Sequence, residues 1–482
     1  MLTNIITKWT TKLRYRPYDE WSDGRIKRIE DKIKNSHWRL GYHIQPKTGL
    51  LNDPNGFSYF NHEWHLFYQS YPFGAVHGLK SWAHLTSKDL VHWQDHGPTL
   101  LPGDKQDSHG AYSGSAIPID DQLFLMYTGN VRDENWVRHP KQNGAWMDKT
   151  GQIQKIPTSL IPEPKNGFTD HFRDPQIIEH DHMFYSLIGA RRKDDTGHIL
   201  VYQSPNVTGP WAYKTELHFT DQDCGYMIEC PNLLFVDNRP VLIFCPQGID
   251  KDVLQYSNVF PNAYVIGEKF DWETFSFINP SVMKNLDEGF DVYATHGFNA
   301  PDGRVLTVSW IGLPDTTYPS DVEGWANCFS LIKELKIEDN QLYQIPVVEN
   351  NQLVKEELNS KEISPQTKIA STVAKNTTGS ILLKTELGEE LQIIVDTTNG
   401  KILVDRTKMG EAFATDFGTV RTSQVEKNRD IALDLYLDNT VFELYINGGQ
   451  KVITGRIFPQ GTRFFVEANN MAITQHRMDK IF

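Results

Sequence analysis

Cysteine is scarce. The 482 residues include four, Cys224, Cys230, Cys245 and Cys328, with no CxxC pair and no zinc-ligand spacing. That excludes a disulfide-stapled scaffold and predicts buried or near-site thiols in a reducing compartment. Basic charge is in deficit: 48 Lys and Arg stand against 61 Asp and Glu, a formal net charge of −13. So acidic a surface repels nucleic acid and anionic membrane, and no dense Lys/Arg stripe overrides it. Long hydrophobic runs are missing too. No stretch approaches the roughly 20 apolar residues of a membrane span. The opening MLTNIITKWTTKLRYRPYDEW lacks the apolar core of a secretory leader. A cytoplasmic location is the expectation, and the sequons at Asn206 and Asn376 then carry no meaning.

Helical periodicity is also rare. SDGRIKRIEDKIKNSHW puts Ile26, Ile29 and Ile33 on one face behind a Ser22/Asp23 cap, so residues 1–35 are expected to form a helical extension. What is abundant is strand-forming sequence punctuated by Asn, Asp, Gly and Pro. One hairpin recurs five times. Its second strand begins at Glu63 (EWHLFYQS), Gln122 (QLFLMYTG), His182 (HMFYSLIG), Pro240 (PVLIFCPQG) and Arg304 (RVLTVSWIG). Each follows a short polar turn, and each turn follows another candidate strand: GFSYF, SGSAIPI, PQIIE, PNLLFV and HGFNA. Five equivalent hairpins about 60 residues apart suit four-stranded blades with long loops, so an all-β chain with a five-bladed β-propeller over 36–338 is expected. A polar linker over 339–358 should follow, then a β-sandwich over 359–482, built from strands such as ILLKTEL, LQIIVDTT and VFELYING.

In GLLNDPNGF, Asp53 stands between Asn52 and Pro54 with Asn55-Gly56 behind it. Read alone, this is a turn. In a propeller, however, the first strand of every blade lines the axis, and acids recur at matching points. Asp53 is followed at near-constant steps by Ser113 in YSGS, Asp174 in FRDP, Glu229 in ECP and Asp291 in GFDVYATHG. Strand capping describes any one of these well and the set poorly. Two carboxylates facing a glycosidic bond serve as nucleophile and proton donor. Glu229, in the apolar GYMIECPNLLF, is the candidate acid/base. Asp53 is the candidate nucleophile, and Asp174, beside Arg173, is expected to stay ionised. Gln69, Tyr71, Trp82, Tyr112, Trp325 and Asn327 near the same loops offer the rings and amides that a sugar needs. No HExxH or similar triad and no GxSxG elbow occurs, so neither a metal, another cofactor nor a serine nucleophile is expected.

NDPNG at Asn52–Gly56, FRDP at Phe172–Pro175 and ECP at Glu229–Pro231, with SKDLVHW, SGS and EGWAN, resemble the signature motifs of glycoside hydrolase family 32, the β-fructofuranosidases. The resemblance spans essentially the whole chain. It implies a five-bladed propeller plus sandwich and retention of configuration at fructose C2. It also implies that Asp53 is the nucleophile, Asp174 the transition-state stabiliser and Glu229 the acid/base. Asn52, Gln69, Ser113 and Arg173 would contact the fructosyl unit, with Trp325, Tyr112 and Trp82 nearby. There are departures: Leu51 precedes Asn52, Tyr112 replaces a usual Phe, and His77 stands where many invertases carry Trp. The stretch FGAVHGLKSW is similar to the sucrose-6-phosphate hydrolase branch, and His77 and Lys80 are candidate phosphate contacts. Three readings are open: a sucrose 6-phosphate and sucrose hydrolase, an invertase or fructo-oligosaccharide hydrolase indifferent to phosphate, and a non-catalytic sugar-binding propeller.

Overall fold

A computed structural model describes residues 6, 8–22 and 24–481 of the chain. Asp23, half of the expected helix cap, lies outside the described residues, as do the first five residues of the expected extension. The helix forms over Gly24–Ile33 and buries Ile29 and Ile33 against Trp38, Tyr318 and Trp325. Ahead of it, residues 9–21 run as an arm over the rim of the first sheet, where Trp9, Leu13, Tyr15 and Tyr18 pack with Tyr71, Phe73 and Leu79.

The five hairpins open five antiparallel sheets. Their first strands are Gly49–Phe60, Ala111–Ile119, Phe168–His180, Met227–Val236 and Val292–Asn299. Each sheet continues outward through three more strands. The polar turns work because their residues tolerate left-handed backbone. Asn61 and His62, Asp181 and His182, and Asp237 and Asn238 all have φ between 48° and 66°, as hairpins matching the twist of their strands require. The first strands pack in a closed cycle, each on the next and the fifth on the first. Trp325–Ala326 pairs in parallel with Gly49–Leu50 and so ties a late segment to the first sheet. Between sheets lie apolar layers. One joins Phe67, Trp82 and Leu100 to Leu123, Leu125 and Tyr127. Truncating one of its large rings would cost about 3–5 kcal/mol.

Residues 339–358, expected as a linker, are structured. Gln341–Pro346 is the fourth strand of the fifth sheet, paired with Lys333–Glu338. Leu342 and Gln344 are its alternate buried positions, and with a polar residue at one of them and charged flanks the strand pattern was masked. Val348–Leu353 then forms a 3-10 turn, and Val354–Glu357 already belongs to the next layer. Beyond lie two six-stranded sheets. In Thr378–Thr385 and Glu390–Asp396 every second side chain is buried, the mark of a sheet covered on one face. Ile381, Leu383, Ile393 and Val395 meet Leu433, Leu435 and Leu444 in one core.

Two buried ionic groups join this second layer pair to the ring of sheets. Asp438 accepts from the backbone N–H groups of Gly41, Tyr42 and His43, at 2.7, 2.8 and 2.9 Å. His43 bridges Asp438 and Glu443 through its two ring nitrogens, each at 2.9 Å. Asp291 forms the other group. It was expected among the acids at the axis. Instead it is fully buried, 2.5 Å from the Arg406 guanidinium, and it accepts from the Arg456 N–H and the Tyr318 hydroxyl. Counting residues misplaced it, because the first strand of the fifth sheet starts only at Val292.

Candidate active site

All five first strands break register near their inner ends, by a residue or two. In four of them a non-glycine residue takes up the slack in left-handed conformation: Asp53 (φ 31°), Asp174 (φ 65°), Cys230 (φ 50°) and Ala294 (φ 47°). Such bulges re-aim a side chain and hold strain where function uses it. NDPNG is therefore not a turn before a strand but a kink within one. A small axial cavity lined by Pro54, Ser113, Asp174, Cys230 and Ala294, one residue from each sheet, marks where the strands converge.

Above that point sit the three acids. Asp53 Oδ2 accepts from the Ser113 hydroxyl at 2.6 Å and from the Gln69 amide at 3.1 Å. Gln69 Nε2 also reaches the Ser113 oxygen, and Gln69 Oε1 accepts from Asn52 Nδ2 at 3.3 Å. Asn52 Oδ1 in turn accepts from the Lys80 ammonium. A relay from Lys80 through Asn52 and Gln69 thus holds one oxygen of Asp53, and no protein donor among the described residues holds the other. Burial raises the Asp53 carboxyl, and the Ser113 hydrogen bond, the neighbouring Asn52 amide and the Lys80 charge work against that rise.

Arg173 is divided differently from the sequence expectation. Its Nε and a terminal nitrogen lie 2.9 and 2.5 Å from Glu229 Oε1, whereas Asp174 Oδ2 is 3.7 Å away. The Glu229 Oε2 accepts from Gln247 at 2.6 Å and from the Tyr293 hydroxyl at 2.7 Å. The apolar surroundings read from GYMIECPNLLF are thus wrong for the side chain: Met227 and Ile228 are buried, while Glu229 is half-buried among polar partners. Gln247 and Tyr293 were not singled out, although PVLIFCPQG and GFDVYATHG contain them, because both reach Glu229 from neighbouring strands. Asp174 was expected to be ionised. Burial pushes it up, to about 7. The Arg173 charge opposes the rise and the Glu229 and Asp53 charges add to it. Its own acceptor contacts are thin, a 3.2 Å hydrogen bond from the Cys230 N–H being the shortest.

The remaining candidates divide into mouth and scaffold. Tyr112 is half-buried at the mouth, its hydroxyl accepting from Asn130 at 3.0 Å. Trp82 and Trp325 are fully enclosed and present no free ring face. Trp82 donates to the Tyr112 carbonyl, while Trp325 lies under the Arg39 guanidinium and donates to Glu323. Both brace the site instead of lining it. Asn327 is buried and donates to the Leu51 carbonyl, and Tyr71 donates to Leu13 of the arm. Of the two phosphate candidates, His77 is at the exposed rim beside Trp310. Lys80 is buried beneath the acids and pushed down to about 7 by that burial, with Asp53 opposing. It belongs to the Asp53 relay, so an entering phosphate does not meet it first. Among the described residues no cluster of three or more His, Cys, Asp or Glu is arranged to hold a metal. No described helix is long and apolar enough to cross a membrane.

Three carboxylates gathered with amides, a hydroxyl and a guanidinium at the axis of a ring of sheets are the equipment of a glycoside hydrolase. The sequence comparisons make this particular. The family model "Glycosyl hydrolases family 32 N-terminal domain" matches residues 43–346, and "Glycosyl hydrolases family 32 C terminal" matches 336–478. The chain belongs to this family and is a β-fructofuranosidase-type enzyme. It is 45% identical to the sucrose-6-phosphate hydrolase of Pediococcus pentosaceus, covering 97% of this chain and 95% of that one. It is 48% identical to the Streptococcus mutans enzyme of the same name, covering 93% and 94%. Among solved structures, the sucrose-6-phosphate hydrolase of Lactobacillus gasseri superposes with a TM-score of 0.94 at 42% identity, over 98% of this chain and 100% of that one.

Proposed function

We propose that this chain hydrolyses the β-fructofuranosyl bond of sucrose 6-phosphate, and of sucrose, by double displacement. The substrate is supported above all by relatives of that name matching nearly end to end. The five sheets are read as the blades of a five-bladed propeller that carries the reaction. The paired six-stranded sheets are read as a sandwich that braces it, and the cell interior as its location.

The unheld Asp53 oxygen attacks fructose C2 while the bond from C2 to the glucosyl oxygen breaks, and that oxygen takes its proton from Glu229. Glu229 then removes a proton from water, whose oxygen bonds to C2 and releases Asp53. Two inversions give net retention. Asn52, Gln69, Ser113 and Arg173 hold the fructosyl hydroxyls, and Asp174 accepts from them as positive charge builds on the ring.

Asp53→Asn tests the assignment. It keeps shape and hydrogen bonds but removes the nucleophile, so kcat should fall by at least about 10⁴-fold on both sugars. A variant that keeps the wild-type rate removes Asp53 from that role. The anomer first released by the wild type, followed by NMR before mutarotation, should be β; an α product would reverse the stereochemical reading.

A further inference from the structure

Three arginines at the mouth have no counter-charge. Arg132 and Arg138 face each other across the hairpin 131–139, bridged in antiparallel register. Arg14 comes from the N-terminal arm. The Nε of each is buried without a hydrogen-bond partner, and none of the three forms an ion pair among the described residues. Elsewhere Arg406 pairs with Asp291, Arg304 with Asp302 and Glu349, and Arg192 with Glu216, while the buried Arg421 and Arg456 are held by carbonyl, amide and hydroxyl oxygens. The acids nearby do not answer them. Asp133, on the same hairpin, spends its carboxylate on the Asn135 and Val137 N–H groups. The Asp170 charge reaches Arg138 without an ion pair. A buried donor left unpaired costs about 1–3 kcal/mol, so three in one place in an acidic protein point to a missing anion.

The cluster adjoins the reacting bond. Arg138 lies within electrostatic reach of Arg173, which holds Glu229, and of Tyr112. The His171 Nδ1 accepts from Arg173 at 3.1 Å, and Arg138 also acts on His171. The Arg132 guanidinium stacks over Trp136 at 5.1 Å. Tyr15 packs edge-on against the same Trp136, at 5.1 Å, and against His109, fastening the arm to the hairpin. Arg14 is anchored by its carbonyl, which accepts from the Leu79 N–H at 2.8 Å. That approach needs Gly78, since a Cβ there would come within 2.7 Å of the Arg14 oxygen. The Arg14 charge also reaches His77 at the rim.

We propose that Arg14, Arg132 and Arg138 form the cradle for the phosphate of the leaving group, so that the N-terminal arm is part of the substrate site. The assignment rests on the sucrose 6-phosphate reading above. The side fits: the leaving glucosyl oxygen is on the Glu229 flank, and a guanidinium fork matches a phosphate dianion in shape and charge. A phosphate dianion supplies the counter-charge that the three guanidinia lack.

The test compares kcat/KM for sucrose 6-phosphate and sucrose in the wild type, Arg14→Gln, Arg132→Gln, Arg138→Gln and the Arg132/Arg138 double variant. The wild type should prefer the phosphorylated sugar. Each single change should lower the ratio of the two constants about tenfold, and the double change about a hundredfold. Competition on the wild type complements this without any variant: glucose 6-phosphate should inhibit at lower concentration than glucose. A wild type with no preference overturns the substrate reading and the cradle with it. A wild-type preference that survives in folded variants within twofold overturns the cradle alone, as does equal inhibition by glucose and its phosphate.

Discussion

Asp438 and Asp174 are the same residue type, both deeply buried, and their carboxyl groups shift in opposite directions. Burial pushes each upward, but hydrogen bonds and the ion pair with His43 bring Asp438 below the usual carboxylate range. Its two oxygens accept from three backbone N–H groups, the His43 ring and the Gln366 amide. Asp174 has the Cys230 N–H, a guanidinium at 3.7 Å that is closer to Glu229, and two carboxylates for neighbours. Where a charge serves as a joint, the fold surrounds it with donors. At Asp174, to which the proposed function gives a part in the reaction, the fold leaves the charge underfilled, so that substrate would supply what is missing.

The sharpest way to break that contrast is to remove the joint. Asp438→Ala strands His43 and three N–H groups, and should cost about 3–5 kcal/mol in urea unfolding, with kcat/KM of the folded enzyme unchanged. A loss below about 1 kcal/mol would mean the cluster is not a joint. Next comes Asp174→Asn, which should lower kcat by about 10²–10³-fold, or roughly 3–4 kcal/mol. The same change should stabilise the fold by about 1 kcal/mol at pH 8, because it relieves a cluster of like charges. A folded state that binds the Asp174 proton up to about pH 7 loses stability as pH rises from about 4 through 7. The variant should lack that part of the slope; if it retains it, Asp174 is not the group titrating.

The smallest effect concerns the joint's own proton. Burial pulls the His43 ring down, but Asp438 and Glu443 more than compensate and raise it to about 9. The folded state therefore holds a proton that the unfolded chain releases near pH 6.5. The stabilisation is complete below that pH and is lost as pH climbs through about 9. Subtracting the profile of His43→Gln from that of the wild type should show a decline of roughly 3 kcal/mol across this window. A flat difference would show that His43 is neutral in the fold.

The repeating hairpins were legible because their turns demand residues that tolerate positive φ, and Asn, Asp and His stand there. The positions of Asp53, Asp174 and Glu229 were readable as motifs, but their surroundings were not. Whether Arg173 bonds its neighbour Asp174 or Glu229, 56 residues on, depends on bulges that no local pattern announces. Gln247 and Tyr293 act across strands, and the enclosure of Lys80, Trp82 and Trp325 follows from how sheets stack. The extra strand Gln341–Pro346 was hidden by its charged flanks. Arg14, Arg132 and Arg138 share no motif, and only the folded arm brings them to one mouth.

The parallel pairing of Trp325–Ala326 with Gly49–Leu50 sets an order of assembly. The last partner of the first sheet is made 276 residues after it, the spacing that separates Asn327 from Leu51. At the usual pace of synthesis, about 5–20 residues per second, the first sheet waits on the order of 15–55 s with its inner edge open. Neighbouring sheets can dock as they emerge, and the fifth packs on the first through Val292–Asn299, but the first sheet gains its last strand only once Trp325–Ala326 leaves the ribosome. Contacts so distant in sequence make closure slow. Until then the Asp53 relay and the Glu229 flank are held on an open arc of sheets, so activity should appear only after the ring is sealed.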